Sequence, residues 1–257
     1  MRRLILVIAT LFTAIAAPAA AQSTRGYVLG VDDAIVVSVY GQPDAGTTQR
    51  IKADGSVVIP LIGRIEAAGE TVLTLASTIE KKFVAGGFFK APVVNVEIGS
   101  YVSRTVNVAG KVTTPGVYPL DRSYRVLEIL LKAGWVKDAG ANYVYLRRAD
   151  GKEQRLETEA LVRGSSDKDP VLAPGDTLYI PDADMFYVYG QINRPGTFPV
   201  LPGMSVRQAL AIAGGVTATG SDRKVGLYRA GSKDRDEVAL DQPIQKNDVI
   251  VVKERLF

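Results

Sequence analysis

The side chains that could perform chemistry in this chain are carboxylates, because the sequence contains neither histidine nor cysteine. Ser-His-Asp and Cys-His catalysis and ordinary zinc sites are therefore excluded. Two neighbouring carboxylates can still hydrolyse a glycosidic bond. Three acidic pairs have a suitable spacing: Asp32 with Asp33, Asp182 with Asp184, and Asp234 with Asp236.

The acidic pairs also have structural interpretations. Asp32 and Asp33 follow Gly30 in a segment where aspartate typically accepts hydrogen bonds from the backbone of a turn. Asp182 and Asp184 lie in a linker between two repeated units, where a solvated turn is expected. We therefore predict no catalytic residue, and no metal or cofactor site, since no G-x-x-x-x-G-K-[ST] or strand-led G-x-G-x-x-G motif occurs.

Charge gives no indication of a nucleic-acid partner. The chain has 31 basic and 27 acidic residues, a formal charge of +4. Nucleic-acid binding usually requires a concentrated basic face, and this near balance gives no sign of one. We therefore expect no nucleic acid among the partners of the protein.

Aromatic side chains are the remaining candidates for binding, since tyrosine and tryptophan combine an apolar face with a polar tip that suits sugar rings and interfaces. Tyr187 and Tyr189 share one face of a predicted strand. Tyr189 also occupies the position of the small Ala109 in the other repeat, whereas a core position would keep a similar size. Together with Trp135, these two tyrosines are our candidate glycan contacts. The aromatic residues considered were Tyr101, Tyr118, Trp135, Tyr143, Tyr145, Tyr179, Phe186, Tyr187, Tyr189 and Phe198.

An internal repeat must position these side chains. The segment from Val106 to Gly134 recurs without a gap eighty residues later, from Phe186 to Gly214. A unit of this length indicates tandem small domains, because the repeats of solenoids are about 20–45 residues long. The identical positions in the first copy are Val108, Gly110, Pro115, Gly116, Pro119, Val126, Leu130, Ala133 and Gly134.

Each copy predicts a strand, a Pro-Gly turn, a second strand, a helix that ends at glycine, and then further strands. Hairpin, helix and strands in this order are typical of a β-grasp domain. The second helix begins with a capping box formed by Ser205 and Gln208. The first copy has Arg125 and Glu128 there, which predicts a weaker cap or one shifted towards Ser123.

The segment upstream of the repeats has its own pattern. Asp54-Gly55 predicts a hairpin. Thr71 is the expected N-cap of a helix that places Leu75, Ile79 and Phe83 on one face. Alternating residues up to position 98 predict a final strand.

The first 21 residues have the pattern of a secretory signal peptide. A basic start is followed by an apolar run from Leu4 to Ala17 and an A-x-A site before Gln22. The alternative, an uncleaved membrane anchor, is disfavoured because a spanning helix needs about 20 apolar residues. Without cysteine, no lipid-acceptor residue is present. We therefore expect a mature periplasmic protein.

The repeats resemble SLBB domains, the ligand-binding β-grasp modules with the signature V-x-G-x-V-x-x-P-G-x-Y and a helix ending in A-G-G. The first copy departs from that signature at Gly134-Trp135. The upstream segment resembles the polysaccharide-export domain, although Gly30-Val31-Asp32-Asp33 replaces the usual G-P-G-D. The residues that carry the second resemblance are Tyr27, Leu29, Gly30, Asp33, Asp54, Gly55, Pro60, Leu61, Ile62, Gly63, Ala68, Gly69, Thr71, Pro92, Val94 and Val96.

An export domain followed by SLBB units resembles the Wza-type outer-membrane polysaccharide export family. The resemblance implies an α+β protein with a polysaccharide-export domain at 22–100 and two tandem β-grasp-like SLBB domains at 101–184 and 185–257. It implies a homo-oligomeric ring, without enzyme activity, that guides polysaccharide through the periplasm and works with an inner-membrane polysaccharide co-polymerase. A separate outer-membrane β-barrel is expected, because only five residues follow Val252. The alternative is a non-channel periplasmic glycan-binding or scaffolding protein.

Overall fold

The computed structural model describes residues 26–230, 235–237 and 239–255. The signal peptide predicted at residues 1–21 lies outside these ranges. The described residues combine helices and strands around three separate hydrophobic cores. One core belongs to the segment upstream of the repeats and one to each repeat, which confirms the predicted α+β class.

The upstream unit consists of two small antiparallel sheets and one helix. One sheet has the strand order β2-β1-β5, and β3 pairs with β4 in a second sheet. The hairpin predicted at Asp54-Gly55 is wrong, because the strand before this turn pairs with β1 and the strand after it pairs with β4. Alternate residues of β1, the central strand of the first sheet, are buried because one face of the strand packs on the core and the other faces solvent. The elements are β1 (Ala34–Val39), β2 (Thr47–Arg50), β3 (Ser56–Ile59), β4 (Gly63–Glu66), α1 (Val72–Ala85) and β5 (Val94–Ser100).

Helix α1 covers the core of this unit as the sequence predicts. Its N-cap is Thr71, whose hydroxyl accepts a hydrogen bond from the backbone N–H of Thr74 at 3.2 Å. Leu75, Ile79 and Phe83 are completely buried, and each contributes about 1.5–3 kcal/mol of hydrophobic stabilisation. No helix in the described part of the chain is long and apolar enough to cross a membrane.

The two repeats have the same topology strand for strand. Their five-stranded sheets have the orders β7-β6-β10-β8-β9 and β12-β11-β15-β13-β14, with one parallel pair beside each first hairpin. The first repeat contains β6 (Thr105–Gly110), β7 (Gly116–Pro119), α2 (Val126–Lys132), β8 (Tyr143–Arg147), β9 (Glu153–Glu157), α3 (Thr158–Arg163) and β10 (Thr177–Ile180). The second contains β11 (Met185–Gly190), β12 (Gly196–Pro199), α4 (Val206–Ile212), β13 (Gly220–Tyr228), β14 (Arg235–Glu237) and β15 (Val249–Glu254).

A glycine closes the parallel strand pair in both repeats. Gly110 and Gly190 have φ angles of +92° and +97°. A β-carbon at Gly110 would lie 1.9 Å from the carbonyl oxygen of Ile180, and one at Gly190 would lie 2.2 Å from that of Val252. Both distances are far below van der Waals contact, so the backbones can approach this closely only at glycine.

A buried ion pair also recurs. The distance from Arg148 Nη1 to Asp176 Oδ2 is 2.7 Å, and that from Arg229 Nη1 to Asp248 Oδ2 is 2.5 Å. In each case the same carboxylate oxygen accepts a backbone N–H from three residues earlier, at 2.8 and 2.7 Å. Both carboxylates are almost inaccessible to solvent. The pair therefore fixes the turn that leads into β10 or β15.

The helices begin at equivalent positions but are capped differently. In α4, the Ser205 N–H donates to Gln208 Oε1 at 2.9 Å, which completes the predicted box. In α2, the Arg125 N–H donates to Glu128 Oε2 at 3.0 Å, but arginine offers no acceptor in return. Asp169, from a distant loop, accepts the second helical N–H at 3.0 Å instead. The helix start is not shifted; a tertiary contact supplies the missing cap.

Candidate functional site

Asp33 is the most strongly bonded of the acidic candidates. Its buried carboxylate accepts hydrogen bonds from the N–H groups of Gly30, Val102 and Ser103, and from the hydroxyls of Ser103 and Tyr27, all within 2.9 Å. Burial opposes its ionisation, but these bonds, led by the Ser103 N–H, hold the pKa of Asp33 below its usual range. Burial raises the pKa of Tyr27 to about 12. Asp33 therefore links its own turn to Val102 and Ser103, which immediately precede the first repeat.

The pair between the repeats is engaged in ion pairs. Asp182 Oδ1 lies 2.9 Å from Lys111 Nζ, and Asp184 Oδ1 lies 3.0 Å from Lys246 Nζ. The Tyr143 hydroxyl also donates to Asp184 at 3.3 Å. The Tyr143 pKa is raised to about 12 by burial and by the nearby charge of Asp184. These contacts connect the linker to both repeats, so we assign the two aspartates a structural role rather than a catalytic one.

The remaining acidic residues show no assembled site. Asp32 has a φ of +71°, which is the left-handed conformation that glycine adopts most easily. This conformation explains why the usual G-P-G-D pattern has glycine at the position of Asp32. Asp234 and the side chain of Asp236 lie outside the described residues. Within the described ranges, no group of three or more acidic residues is placed to hold a metal ion.

Trp135 occupies a special backbone position. Its φ of +67° matches the +76° of Gly215 in the second repeat. Its N–H closes the helix by donating to the Leu130 carbonyl at 2.8 Å, as Gly215 does to Leu210 at 2.9 Å. The departure from Gly-Gly therefore leaves the loop unchanged. The indole is half-buried against the core of the first repeat, so only part of it can face a ligand.

Tyr187 and Tyr189 lie on the outward face of the second sheet. Strand β11 alternates, with Phe186 and Val188 in the core and the two tyrosines 41% and 49% exposed. This confirms the predicted shared face. Contact with a glycan stays a prediction.

The strand register surrounds these tyrosines with small and aliphatic neighbours. Tyr187 is paired with Thr197 on β12 and with Val249 on β15, and Tyr189 is paired with Val251. We call Tyr187, Tyr189, Val249 and Val251 the second shelf. Its apolar surface with phenolic hydroxyls suits the C–H face and the hydroxyl groups of a sugar ring.

The outward face of the first sheet also carries tyrosines, which sequence reasoning did not single out. Tyr179 on β10 is directly opposite Tyr145 on β8. Alternation with buried Leu178 and Leu146 indicates an outward position for each. No sequence signal places them side by side, because the two tyrosines are 34 positions apart in the chain.

Comparisons with known proteins agree with this architecture. Residues 21–99 match the family described as polysaccharide biosynthesis/export protein. Residues 105–157 and 185–239 match the SLBB domain. These matched ranges together cover most of the chain.

Two curated relatives are both named EPS I polysaccharide export outer membrane protein EpsA. The protein from Ralstonia nicotianae is 28% identical over 197 residues, and that from Ralstonia solanacearum is 30% identical over 197 residues. Each alignment covers 73% of this chain and 51% of the relative. The chain thus spans about half the length of the curated relatives it matches. The chain thus contains an export domain followed by two SLBB domains, which is the order expected from the sequence motifs. This domain order shows that the chain belongs to the Wza-type polysaccharide export family.

Proposed function

We propose that this protein is a periplasmic component of a machine that exports capsular polysaccharide or exopolysaccharide. In this proposal it forms a homo-oligomeric ring or conduit that guides the polysaccharide towards the outer membrane. The observation that carries the proposal is the polysaccharide-export domain followed directly by two SLBB domains. The names of the two relatives, which refer to polysaccharide export, support it.

The geometry supports guidance of a polymer rather than a reaction on it. The buried carboxylate of Asp33 is saturated by five hydrogen bonds, and Asp182 and Asp184 pair with lysines. A glycosidase instead needs two carboxyl groups that face a sugar between them. Exposed tyrosines on a rigid sheet can contact successive sugars without cleaving them. We therefore assign a transport role without enzyme activity.

The proposed machine includes further proteins. The family resemblance implies an inner-membrane polysaccharide co-polymerase that delivers the chain and a separate outer-membrane β-barrel that receives it. Association with the outer membrane would then depend on that second partner. Co-purification of tagged protein from crosslinked cells tests both contacts.

Secretion by cells tests the role directly. Deleting the protein should abolish secreted polysaccharide, and expression of the intact chain should restore it. A Tyr187→Ala/Tyr189→Ala double variant should restore less, because both exposed rings of the second shelf are lost. Tyr40→Ala, which removes an 87% exposed tyrosine from the upstream unit, is the matched control. Normal secretion without the protein would refute the proposal.

The oligomeric state separates the ring from the alternative. Light scattering of purified mature protein should give a mass of several subunits, and electron micrographs should show rings. Exposed tyrosines would also suit a monomeric glycan-binding or scaffolding protein. A monomer at all concentrations that still supports secretion would favour that second function.

A further inference from the structure

The first repeat presents its own aromatic surface to solvent. Tyr179 is 44% exposed on β10, between the buried residues Leu178 and Ile180. Its partner on β8 is Tyr145, and its partner on β6 is Ala109. The small Ala109 leaves one side of the Tyr179 ring uncovered. We call Tyr145 and Tyr179 the first shelf.

A neighbouring cluster holds the first shelf in place. The rings of Tyr143 and Tyr145 meet edge to face, with centroids 5.4 Å apart. The guanidinium of Arg155 lies 3.6 Å from the centroid of Tyr143, and its Nε is 2.9 Å from Glu157 Oε1. These contacts restrict the rotamers of the cluster before any ligand arrives. A preorganised surface loses less entropy on binding.

Polar groups border the first shelf. Thr177 lies two residues before Tyr179 on β10 and therefore on the same face of the sheet. It is paired with Asn107 on β6 and with Arg147 on β8. Arg147 in turn is 3.5 Å from Glu153. Amide, hydroxyl and guanidinium groups beside an aromatic ring are the groups that bind sugar hydroxyls while the ring covers the C–H face. Because the arginines are paired with glutamates, the face suits a neutral saccharide better than an anionic one.

The second repeat has its aromatic residues elsewhere on the same face. The positions equivalent to Ala109, Tyr179 and Tyr145 are Tyr189, Val251 and Gly226, each on the matching strand. The tyrosines therefore occupy different halves of two sheets whose topology is identical. A folding requirement would keep them in one place, since it acts on the same neighbours in both repeats. Both repeats thus have exposed tyrosines on the outward face of the sheet, although on strands that are not equivalent. We take this shared property as an indication that the face binds a ligand.

We propose that the first shelf is a second saccharide subsite, in which Tyr145 and Tyr179 stack on sugar rings of the exported polysaccharide. The subsite rests on the proposed function, because that function supplies its ligand. Two shelves on one chain would contact the same polymer at separate points. Each contact is then individually weak, which allows the polymer to move on.

The test is a titration of the full mature chain labelled with 3-fluorotyrosine. The probe is a set of oligosaccharides made by partial hydrolysis of the polysaccharide that the producing cells secrete. The fluorine resonances of Tyr145 and Tyr179, assigned with Tyr145→Phe and Tyr179→Phe, should shift on binding. Tyr179→Ala should weaken binding at this subsite about tenfold, because it removes one stacking contact. Tyr179→Phe should retain most of the affinity, and Tyr40→Ala should retain all of it.

The outcomes separate this subsite from the proposed function. Shifts confined to Tyr187 and Tyr189 would overturn the first shelf and leave polysaccharide handling intact. An equal loss of affinity in Tyr179→Ala and Tyr40→Ala would also overturn it. Absence of any tyrosine shift would overturn it too, and the secretion assay would then decide the proposed function independently.

Discussion

Helices α2 and α4 occupy the same place in the two SLBB repeats, yet their exposed sides differ. In the first repeat, Arg122 and Lys132 lie 4.0 Å and 4.2 Å from the ring centroid of Tyr124, and Arg122 also pairs with Glu128. Lys132 also donates a hydrogen bond to the Tyr124 hydroxyl at 2.7 Å. In the second repeat, the same positions form an apolar cleft of about 330 Å³. The cleft is lined by Leu201, Pro202, Met204, Gln208, Ala211 and Ile212.

The interiors do not diverge in this way. Both repeats keep the glycine at the parallel strand pair and the buried arginine–aspartate pair. Close-packed positions tolerate little change, whereas exposed positions usually cost less than about 0.5 kcal/mol when substituted. A comparison of the two repeats therefore distinguishes two groups of positions. The first group is the buried positions that the fold requires, and the second is the exposed positions that can differ between the repeats. The helix faces and the two shelves belong to the second group.

The largest effect is expected at the close strand approach. Gly110→Ala and Gly190→Ala should each destabilise their repeat by about 4 kcal/mol, because strain at positive φ adds to a steric clash. Urea unfolding followed by circular dichroism measures this. Gly116→Ala is the control, because nothing lies within 4 Å of its β-carbon position. If Gly110→Ala costs no more than Gly116→Ala, the shared constraint is disproved.

The buried ion pair should give the next effect. Arg148→Met and Arg229→Met should each cost about 3 kcal/mol, because a buried carboxylate loses its charged partner. Equal losses in the two repeats are expected from their matching geometry. Arg147→Met is the control, since its ion pair with Glu153 is exposed and worth at most about 1 kcal/mol. A loss in one repeat only would show that the pairs are not equivalent.

The smallest effect concerns acid sensitivity of the helix caps. The side-chain hydrogen bond from Arg122 and the backbone bond from Arg125 lower the pKa of Glu128. Its contribution is therefore present above the unfolded pKa of about 4.5 and is lost as pH falls through the folded value. Gln208, at the equivalent place, does not titrate. The first repeat should thus lose slightly more stability on acidification.

Glu128→Gln should reduce that difference, by less than about 0.5 kcal/mol because the pair is exposed. Hydrogen exchange of the amides of α2 and α4 at pH 6 and pH 4 compares the two repeats in one molecule. Gln208→Glu is the reciprocal control, because its position has no counterpart of Arg122. An unchanged difference in Glu128→Gln would attribute the acid sensitivity to another group.

The sequence by itself determined the features that depend on neighbours along the chain. The eighty-residue repeat and its hairpin–helix order predicted two equivalent sheets. The spacing of Leu75, Ile79 and Phe83 predicted the buried side of α1. Alternation placed Tyr187 and Tyr189 on one outward face. Each inference uses a period fixed by helix or strand geometry, which acts over a few residues.

Only the tertiary structure decided which distant residues meet. Asp169 caps α2 from a remote loop, Asp33 binds the segment at Val102, and Tyr145 lies beside Tyr179. These contacts depend on the order and register of strands joined by long connections. Local periodicity fixes which face a side chain occupies, but it does not fix which strand is paired with it. The first shelf is therefore a property of the folded sheet, although each of its tyrosines is placed by the pattern of its own strand.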